Sequence, residues 1–348
     1  MKIVITTVQI PFVQGGAEFL AANLKKALID AGHQVEIITM PFSDQPAQRI
    51  EDNIVASRLM DVSGSWGGNH DLCIGLKFPA YYMPHPNKVI WALHQHRAAF
   101  DLFDTPYSSI KNDATGIRTR NMIYNAERTY LPEAKRIYTI SQNVTYRMEH
   151  YTGIASKPLY HPCPDAECFY HAEAEDYILM PSRINMTKRQ MFALEALTKT
   201  KSDVKLCLLG RPDNETVGKE IMDYINQHDL CERVRVMNYV SQEKKFELYA
   251  KAKAVLFIPY DEDYGYITLE AMAAGKAVIT MEDSGGPLEF VLDEKTGIIS
   301  KQTADELAKH LDEIWTSENM AEEYGRNGKQ HLDEMEITWQ NVVKELIK

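Results

Sequence analysis

Ala254-Val-Leu-Phe-Ile-Pro259 is followed within a few residues by Glu262-Asp-Tyr-Gly-Tyr-Ile-Thr-Leu-Glu270-Ala-Met-Ala-Ala-Gly275, and the fold turns on these two adjoining runs. The first is continuously apolar, as in a strand of a parallel sheet covered on both faces. The second reads as a loop feeding a short helix, with Ile267, Leu269, Ala271, Met272 and Ala273 as its apolar positions. Gly275 suits the left-handed residue just past a helix end. Gly265 falls near the helix N-terminus, where backbone N–H groups lack partners and the dipole is positive. No side chain there keeps a ligand away, so the turn suits a diphosphate. Glu262 and Glu270 bracket that turn, and carboxylates are pure acceptors fit for sugar and ribose hydroxyls. Alone, the segment also looks like any strand, loop and helix scaffold with an acidic residue or two.

A second segment narrows the choice. Tyr177-Ile-Leu-Met-Pro-Ser-Arg183-Ile-Asn-Met-Thr-Lys188-Arg189 is again an apolar strand and a cationic loop, followed by an amphipathic helix. Arg183 offers a planar fork to phosphate and Lys188 a mobile point charge. Together they would offset the charge of a departing diphosphate, chiefly an electrostatic task. An isolated Arg and Lys pair is usually a solvated loop. Two such segments in one half of the chain, each after a strand, are hard to obtain by accident.

With these residues in view, the chain resembles a retaining glycosyltransferase of the GT-B type, family 4 (glycosyl transferases group 1). The family's donor-site marks are matched by Arg183 with Lys188, and by Glu262 with Glu270 around Tyr264-Gly265. Ala271 to Gly275, Ser284-Gly285-Gly286-Pro287-Leu288-Glu289, and the opening Gly15-Gly16-Ala17-Glu18 are similar to further family segments. The resemblance implies an α/β fold of two doubly wound Rossmann-like domains facing each other across a cleft. It implies transfer of a hexosyl unit from a nucleotide diphosphate sugar to a hydroxyl of a glycan, lipid-linked or small-molecule acceptor, in polysaccharide or glycoconjugate biosynthesis. Arg183 and Lys188 would hold phosphates, Glu270 the ribose, Glu262 the transferred sugar, and His94 the sugar or acceptor. Gly15 and Gly16 would border the donor, with Tyr264, Gly265, Tyr266 and Ile267 around its phosphates. The base would lie near Val236 to Val240, beside Tyr239 and Val240. UDP-glucose, UDP-N-acetylglucosamine and GDP-mannose all fit the motif, since discrimination rests on a few pocket contacts. Gly210-Arg211-Pro212-Asp213 stands where relatives often carry Gly-x-Gly, which gives Arg211 a phosphate or base contact or a space-filling role. A sugar-nucleotide epimerase and a non-catalytic sugar-nucleotide binder share the architecture. The Arg183, Lys188 and Glu262, Glu270 pairing speaks against both.

Composition agrees. At 348 residues with 45% hydrophobic, two domains are the prior. The boundaries read as residues 1–165, the acceptor side, and 166–330, the donor side, with a C-terminal helix at about 331–348 returning to the first. Pro158, Pro162 and Pro164 mark a linker between Tyr151 and Glu175. Strands are expected at Lys2–Val8, Val35–Met40, Leu72–Leu76, Val89–Leu93 and Arg136–Ser141, a helix at Ala17–Asp30, and a mostly helical stretch over 101–136. No spanning helix is expected, and the start is too short and strand-like for a signal peptide. Five cysteines, an odd number spread along the chain, make no disulfide framework and favour a reducing cytoplasm. A net charge of −11 argues against nucleic acid as a partner.

Other features have two readings. Gly15-Gly16 is a turn or a cleft loop. His94 and His96 lie where doubly wound folds collect ligands, and an extended backbone would point both the same way. With no third ligand in view, metal binding by that pair is disfavoured. Ser141 caps a helix or ends a site strand. The cluster Arg118, Arg120, Arg128, Lys135 and Arg136 is a solvated helix face or a surface greeting an anionic acceptor or membrane lipids, giving weak peripheral membrane contact. Asp261-Glu262-Asp263 mimics a metal-binding Asp-x-Asp, but Arg183 and Lys188 already supply positive charge, so no metal or other cofactor is expected. Cys163 and Cys168 with His161 and His171 have irregular spacing for zinc and read as structural.

Overall fold

The computed structural model describes residues 1–12 and 15–348. The chain divides into two compact units, Met1–Pro164 with Thr338–Lys348, and Asp165–Ile337. In the first, β1 (Lys2–Gln9) and β2 (Gln34–Pro41) flank α1 (Gly16–Asp30), and α2 (Gln48–Leu59) follows. A small antiparallel hairpin, β3 (Gly64–Ser65) and β4 (Gly68–Asn69), leads to β5 (Leu72–Gly75), β6 (Lys88–Ala92), α3 (Ala114–Tyr130), β7 (Arg136–Thr139), α4 (Gln142–Thr152) and β8 (Lys157–Pro158). The main sheet is parallel, in the order β2-β1-β5-β6-β7-β8. Helix α1 turns Leu20, Leu24 and Leu28 inward at four-residue spacing. Burying each contributes about 1.5–3 kcal/mol, so Leu24→Ala costs about 2–5 kcal/mol once the cavity is counted.

Two expectations for this unit change. Residues 101–113 are turns rather than helix, because Ser108 Oγ bonds the Ala98 and Ile110 carbonyls and α3 starts only at its cap, Asp113. Lys157–Pro158, within the expected linker, pairs with β7. Pro158 is tolerated because β8 is the sheet edge, where one N–H needs no ladder partner.

The second unit repeats the plan. It contains β9 (Ile178–Pro181), α5 (Gln190–Lys199), β10 (Leu206–Leu209), α6 (Glu215–Gln227), β11 (Val234–Met237), α7 (Gln242–Lys251) and β12 (Ala254–Leu256). Then come α8 (Tyr266–Ala273), β13 (Ala277–Met281), β14 (Gly297–Ser300), α9 (Ala304–Thr316) and α10 (Glu318–Glu334). Its parallel sheet has the order β11-β10-β9-β12-β13-β14. The strands are buried along almost their whole length, as a sheet with helices on both faces requires. Strand β12 is shorter than Ala254–Pro259: Phe257 N–H makes one more bond to Ile279, and Pro259 has no N–H to continue. The chain leaves β9 toward β10 on one side, and β12 lies on the other, so the strand order switches direction between β9 and β12. Open α/β sheets bind ligands in the crevice at such a switch, outside the carboxyl ends of the strands.

Helix α10 stays with the second unit. At Gly325 a Cβ would sit 2.1 Å from the Gly275 carbonyl oxygen, so the helix packs backbone to backbone behind α8. The return to the first unit therefore begins at Thr338, not near residue 331, and consists of α11 (Trp339–Ile347). Trp339 stacks on His161 and meets Trp91 edge-on, while Arg136 donates to the Leu346 carbonyl near the helix end. Among the described residues no helix is long and apolar enough to cross a membrane.

Candidate functional site

Three loops of the second unit are laced together at the switch between β9 and β12. Tyr260 N–H donates to Thr187 O at 2.7 Å, Asp261 N–H to Asp283 O at 2.8 Å, and Glu262 N–H to Ser284 O at 2.8 Å. Gly286 N–H returns to Glu262 O at 2.8 Å. Gly286 has to be glycine, since a Cβ would lie 2.6 Å from the Tyr264 carbonyl oxygen, which no side-chain rotation can relieve. Arg189 clamps the same loops with a two-pronged pair to Asp283, at 2.7 and 2.5 Å, and its guanidinium lies 5.2 Å from the Tyr260 ring. Arg189 and Asp261 both hold a left-handed backbone, at φ 59° and 42°. Such conformations in residues bearing a side chain concentrate at functional loops.

Within this frame, Lys188 and Glu262 come together as an ion pair, both side chains mostly buried. Asn185 Oδ1 accepts from the Lys188 N–H, fixing the turn that carries it, and Lys188 Nζ lies 5.4 Å from the Phe257 ring. Gly265 precedes α8 with φ 92°, and a Cβ there would meet Pro287 at 3.0 Å and Phe257 at 3.2 Å. Left-handed backbone and close walls both demand glycine. Tyr264 is buried, edge-on to Phe290 and Tyr266, so it braces the turn from below, while Tyr266 and Ile267 are half-buried at the helix start. The Lys188 cation, the Glu262 acceptor and the α8 N-terminus thus lie on interlocked loops of one switch point.

Glu270 is placed one turn into α8 and is almost fully buried. Its carboxylate accepts from Lys245 Nζ at 2.6 Å and from the Tyr249 hydroxyl at 2.5 Å. Both donors come from α7, and Lys245 lies over the Phe169 and Tyr249 rings. The Arg183 side chain is 67% exposed and bonds Asp213 at 3.1 Å on the loop after β10. Arg211, on that loop, lies 5.3 Å from the Tyr239 ring, which is 76% exposed on the loop after β11. Val240 follows, half-buried, before α7. Gly210 draws the ends of β9 and β10 together; a Cβ there would sit 1.9 Å from the Ser182 carbonyl oxygen.

In the first unit the candidates are differently placed. Gly15 is the N-cap of α1, its N–H bonded to the Glu18 carboxylate at 2.8 Å, and Gly16 opens the helix. The two histidines do not point the same way, because the backbone leaves the strand at Ala92 and His96 starts a tight turn. His96 is buried against Phe42 and Phe78, and burial pulls its pKa down to about 4. His94 remains half-exposed. Its Nδ1–H donates to the Gln95 carbonyl at 2.6 Å, which makes Nε2 the acceptor nitrogen. Gln95 reaches Glu127 on α3, a fully buried carboxyl that also accepts from Tyr81 at 2.6 Å and Tyr82 at 2.8 Å. Burial raises it to about 7.

Ser141 caps α4 through the Val144 N–H. Of the basic cluster, Arg118 pairs with Glu51 and Arg120 stacks on Phe103 while donating to the Ala99 carbonyl. Those two are thus engaged by groups of their own unit. A groove of about 610 Å³ between α1 and α11, lined in part by Trp339, Val343 and Lys344, contains none of the candidate residues. Among the described residues no group of three or more His, Cys, Asp or Glu side chains could hold a metal. Lys245, Tyr249, Arg189 and Asp283 were not legible as site residues from sequence. Their only signal is adjacency to the marked motifs or helical spacing on a neighbouring helix.

The paired doubly wound units are those of the GT-B fold. Sucrose-phosphate synthase of Thermosynechococcus elongatus matches 99% of this chain and 96% of its own, with a TM-score of 0.80 and 17% identity. HepE of Anabaena, solved with UDP-glucose, matches 100% and 98% with a TM-score of 0.71 and 16% identity. A family model for glycosyl transferases group 1 matches residues 169–331, nearly all of the second unit. Over that unit the chain is similar to the glycosyl transferases group 1 family. Among curated proteins, alpha-1,3/1,6-mannosyltransferase ALG2 of Dictyostelium discoideum is 31% identical over 36% of this chain, and an uncharacterised Methanocaldococcus jannaschii glycosyltransferase is 27% identical over 50%. Those matches span only 30% and 44% of the relatives' own length.

Proposed function

We propose that the protein is a retaining glycosyltransferase that transfers a hexosyl unit from a nucleotide diphosphate sugar to an acceptor hydroxyl, without a metal. The observation that carries this reading is the meeting of Lys188 and Glu262 at the β9–β12 switch point, beside the Gly265 turn that opens α8. The diphosphate lies on the helix N-terminus with Lys188 and Arg183 as counter-charges. Lys188 then exchanges its contact with Glu262 for phosphate, and Glu262 accepts from the sugar hydroxyls. Glu270 accepts from the ribose, and the base takes the exposed Arg211 and Tyr239.

The acceptor is assigned to the first unit, with His94 Nε2 as a hydrogen-bond acceptor. In the transfer step the acceptor oxygen bonds to the anomeric carbon on the face the diphosphate leaves. The carbon–oxygen bond to phosphate breaks with its electron pair on the diphosphate, which also takes the acceptor proton. A mannosyl or glucosyl donor is favoured by the mannosyltransferases among the sequence relatives and by HepE among the structural ones.

The test is incubation with labelled GDP-mannose, UDP-glucose and UDP-N-acetylglucosamine, with and without EDTA. One donor should release its nucleoside diphosphate, slowly to water and faster with acceptor alcohols, and EDTA should not change the rate. Release of no diphosphate from any donor overturns the reading. Interconversion of the donor sugar without its loss would make the protein an epimerase.

A further inference from the structure

The geometry points to Tyr249 and Lys245 as positioning residues that turn Glu270 into a ribose-specific acceptor, so that selection of ribo- over dideoxyribonucleotides resides in this three-residue unit. The inference rests on the donor-site reading above. Glu270 has two carboxylate oxygens, and each is fixed by a different donor: Oε1 by Lys245 at 2.6 Å and Oε2 by the Tyr249 hydroxyl at 2.5 Å. Both donors sit on α7 four residues apart, so they present from one face of one helix. Tyr249 is fully buried and edge-on to Phe169, and the Lys245 ammonium lies 5.5 Å from the Phe169 ring and 5.9 Å from the Tyr249 ring, so both donors are held by packing as well as by the carboxylate.

A carboxylate has about four lone-pair directions, and two are used here. The other two are the directions from which a vicinal diol would donate. A carboxylate held by one hydrogen bond would have to give up rotational freedom on binding; this one has already lost it. Helix α7 begins directly after Tyr239 and Val240, the proposed base side. Lys245 and Tyr249 therefore also tie the ribose acceptor to the element that carries the base contacts.

The experiment is calorimetric titration of UDP and GDP, and of their 2′,3′-dideoxy forms, into the unaltered protein, Tyr249→Phe and Lys245→Gln. The unaltered protein should bind one ribose diphosphate tightly and its dideoxy form roughly tenfold or more weakly, the worth of hydrogen bonds to a carboxylate. Both variants should lose affinity for the ribose form and keep that for the dideoxy form, collapsing the ratio toward one. Tyr249→Phe keeps the buried ring, and Lys245→Gln changes a partly exposed side chain, so one variant checks the other's fold. Equal losses for ribose and dideoxy forms would reduce both residues to a structural role and overturn the inference alone. Failure of every diphosphate to bind the unaltered protein would overturn the donor-site reading and the inference with it.

Discussion

Where β9 and β12 part in the second unit, three loops are bonded to one another and present Lys188 and Glu262 at the helix turn of Gly265. Past the end of β6 in the first unit, the polar centre lies beneath the loop instead. Glu127 takes Tyr81, Tyr82 and Gln95 into the core, and the His94 to His96 loop is anchored from below with only His94 half-exposed. The same doubly wound plan thus uses polar side chains in two ways. In one unit they bond the loops at the strand ends to one another; in the other they hold a loop whose exposed edge can vary. Donor recognition is expected to be intolerant of change and acceptor recognition permissive, because loops on a fixed scaffold are where specificity diverges.

The contrast can be broken at its strongest point. Lys188→Ala should lower turnover about 10²–10³-fold, the usual cost of removing one preorganised charge from a transition state. Circular dichroism should remain unchanged, and His94→Asn should cost less. Turnover that fell more with His94→Asn than with Lys188→Ala would reverse the assignment of the rigid site.

The second test concerns the buried carboxyl. Burial lifts Glu127 from the ordinary 4.5 to about 7, so between those values the folded protein holds a proton the unfolded chain has lost. Its contribution to stability is therefore full below about pH 4.5 and lost as pH rises through about 7, a change on the order of 3 kcal/mol. His96 runs the other way. Lowered by burial from 6.5 to about 4, it contributes above its unfolded value and loses that contribution as pH falls through about 4. Glu127→Gln should remove the first slope and leave stability rising with pH through the acid range. Urea midpoints from about pH 4.5 to 7.5 measure it. A variant with the unaltered protein's pH profile would show that Glu127 titrates normally.

Glycine substitutions sharpen the comparison further. Gly286→Ala forces a methyl against the Tyr264 backbone and should destabilise by about 1–3 kcal/mol. Gly153→Ala, at the left-handed end of α4 with open space around it, should cost only the backbone term of about 1 kcal/mol. Thermal melts of both decide whether the donor rim is the more tightly built. Arg118→Ala should change stability by less than about 1 kcal/mol, because its pair with Glu51 is largely exposed on the arginine side, and should leave donor turnover unchanged.

Much of this fold was legible because its marks are local in sequence. Apolar runs, the glycines that end helices and the spacing of Arg183, Lys188, Glu262 and Glu270 read directly as strand, turn and helix. What escaped depended on packing between segments far apart. The partner of Arg183 is Asp213, thirty positions on, and those of Glu270 lie one helix earlier, where Lys245 and Tyr249 look like an ordinary solvated face. The two histidines face differently because the strand ends at Ala92, before the alternation expected of an extended backbone reaches them. The helix expected within 101–136 starts only at Ala114, because the turn bonds of Ser108 outcompete a weak helical pattern before it.

The most direct measurement is calorimetric titration of UDP, GDP and ADP into the unaltered protein and Lys188→Ala. A donor site on the second unit predicts that one of the three binds once per chain, and that Lys188→Ala weakens it tenfold or more at about 1.4 kcal/mol per decade. Binding of none, or equal binding by both proteins, would contradict it.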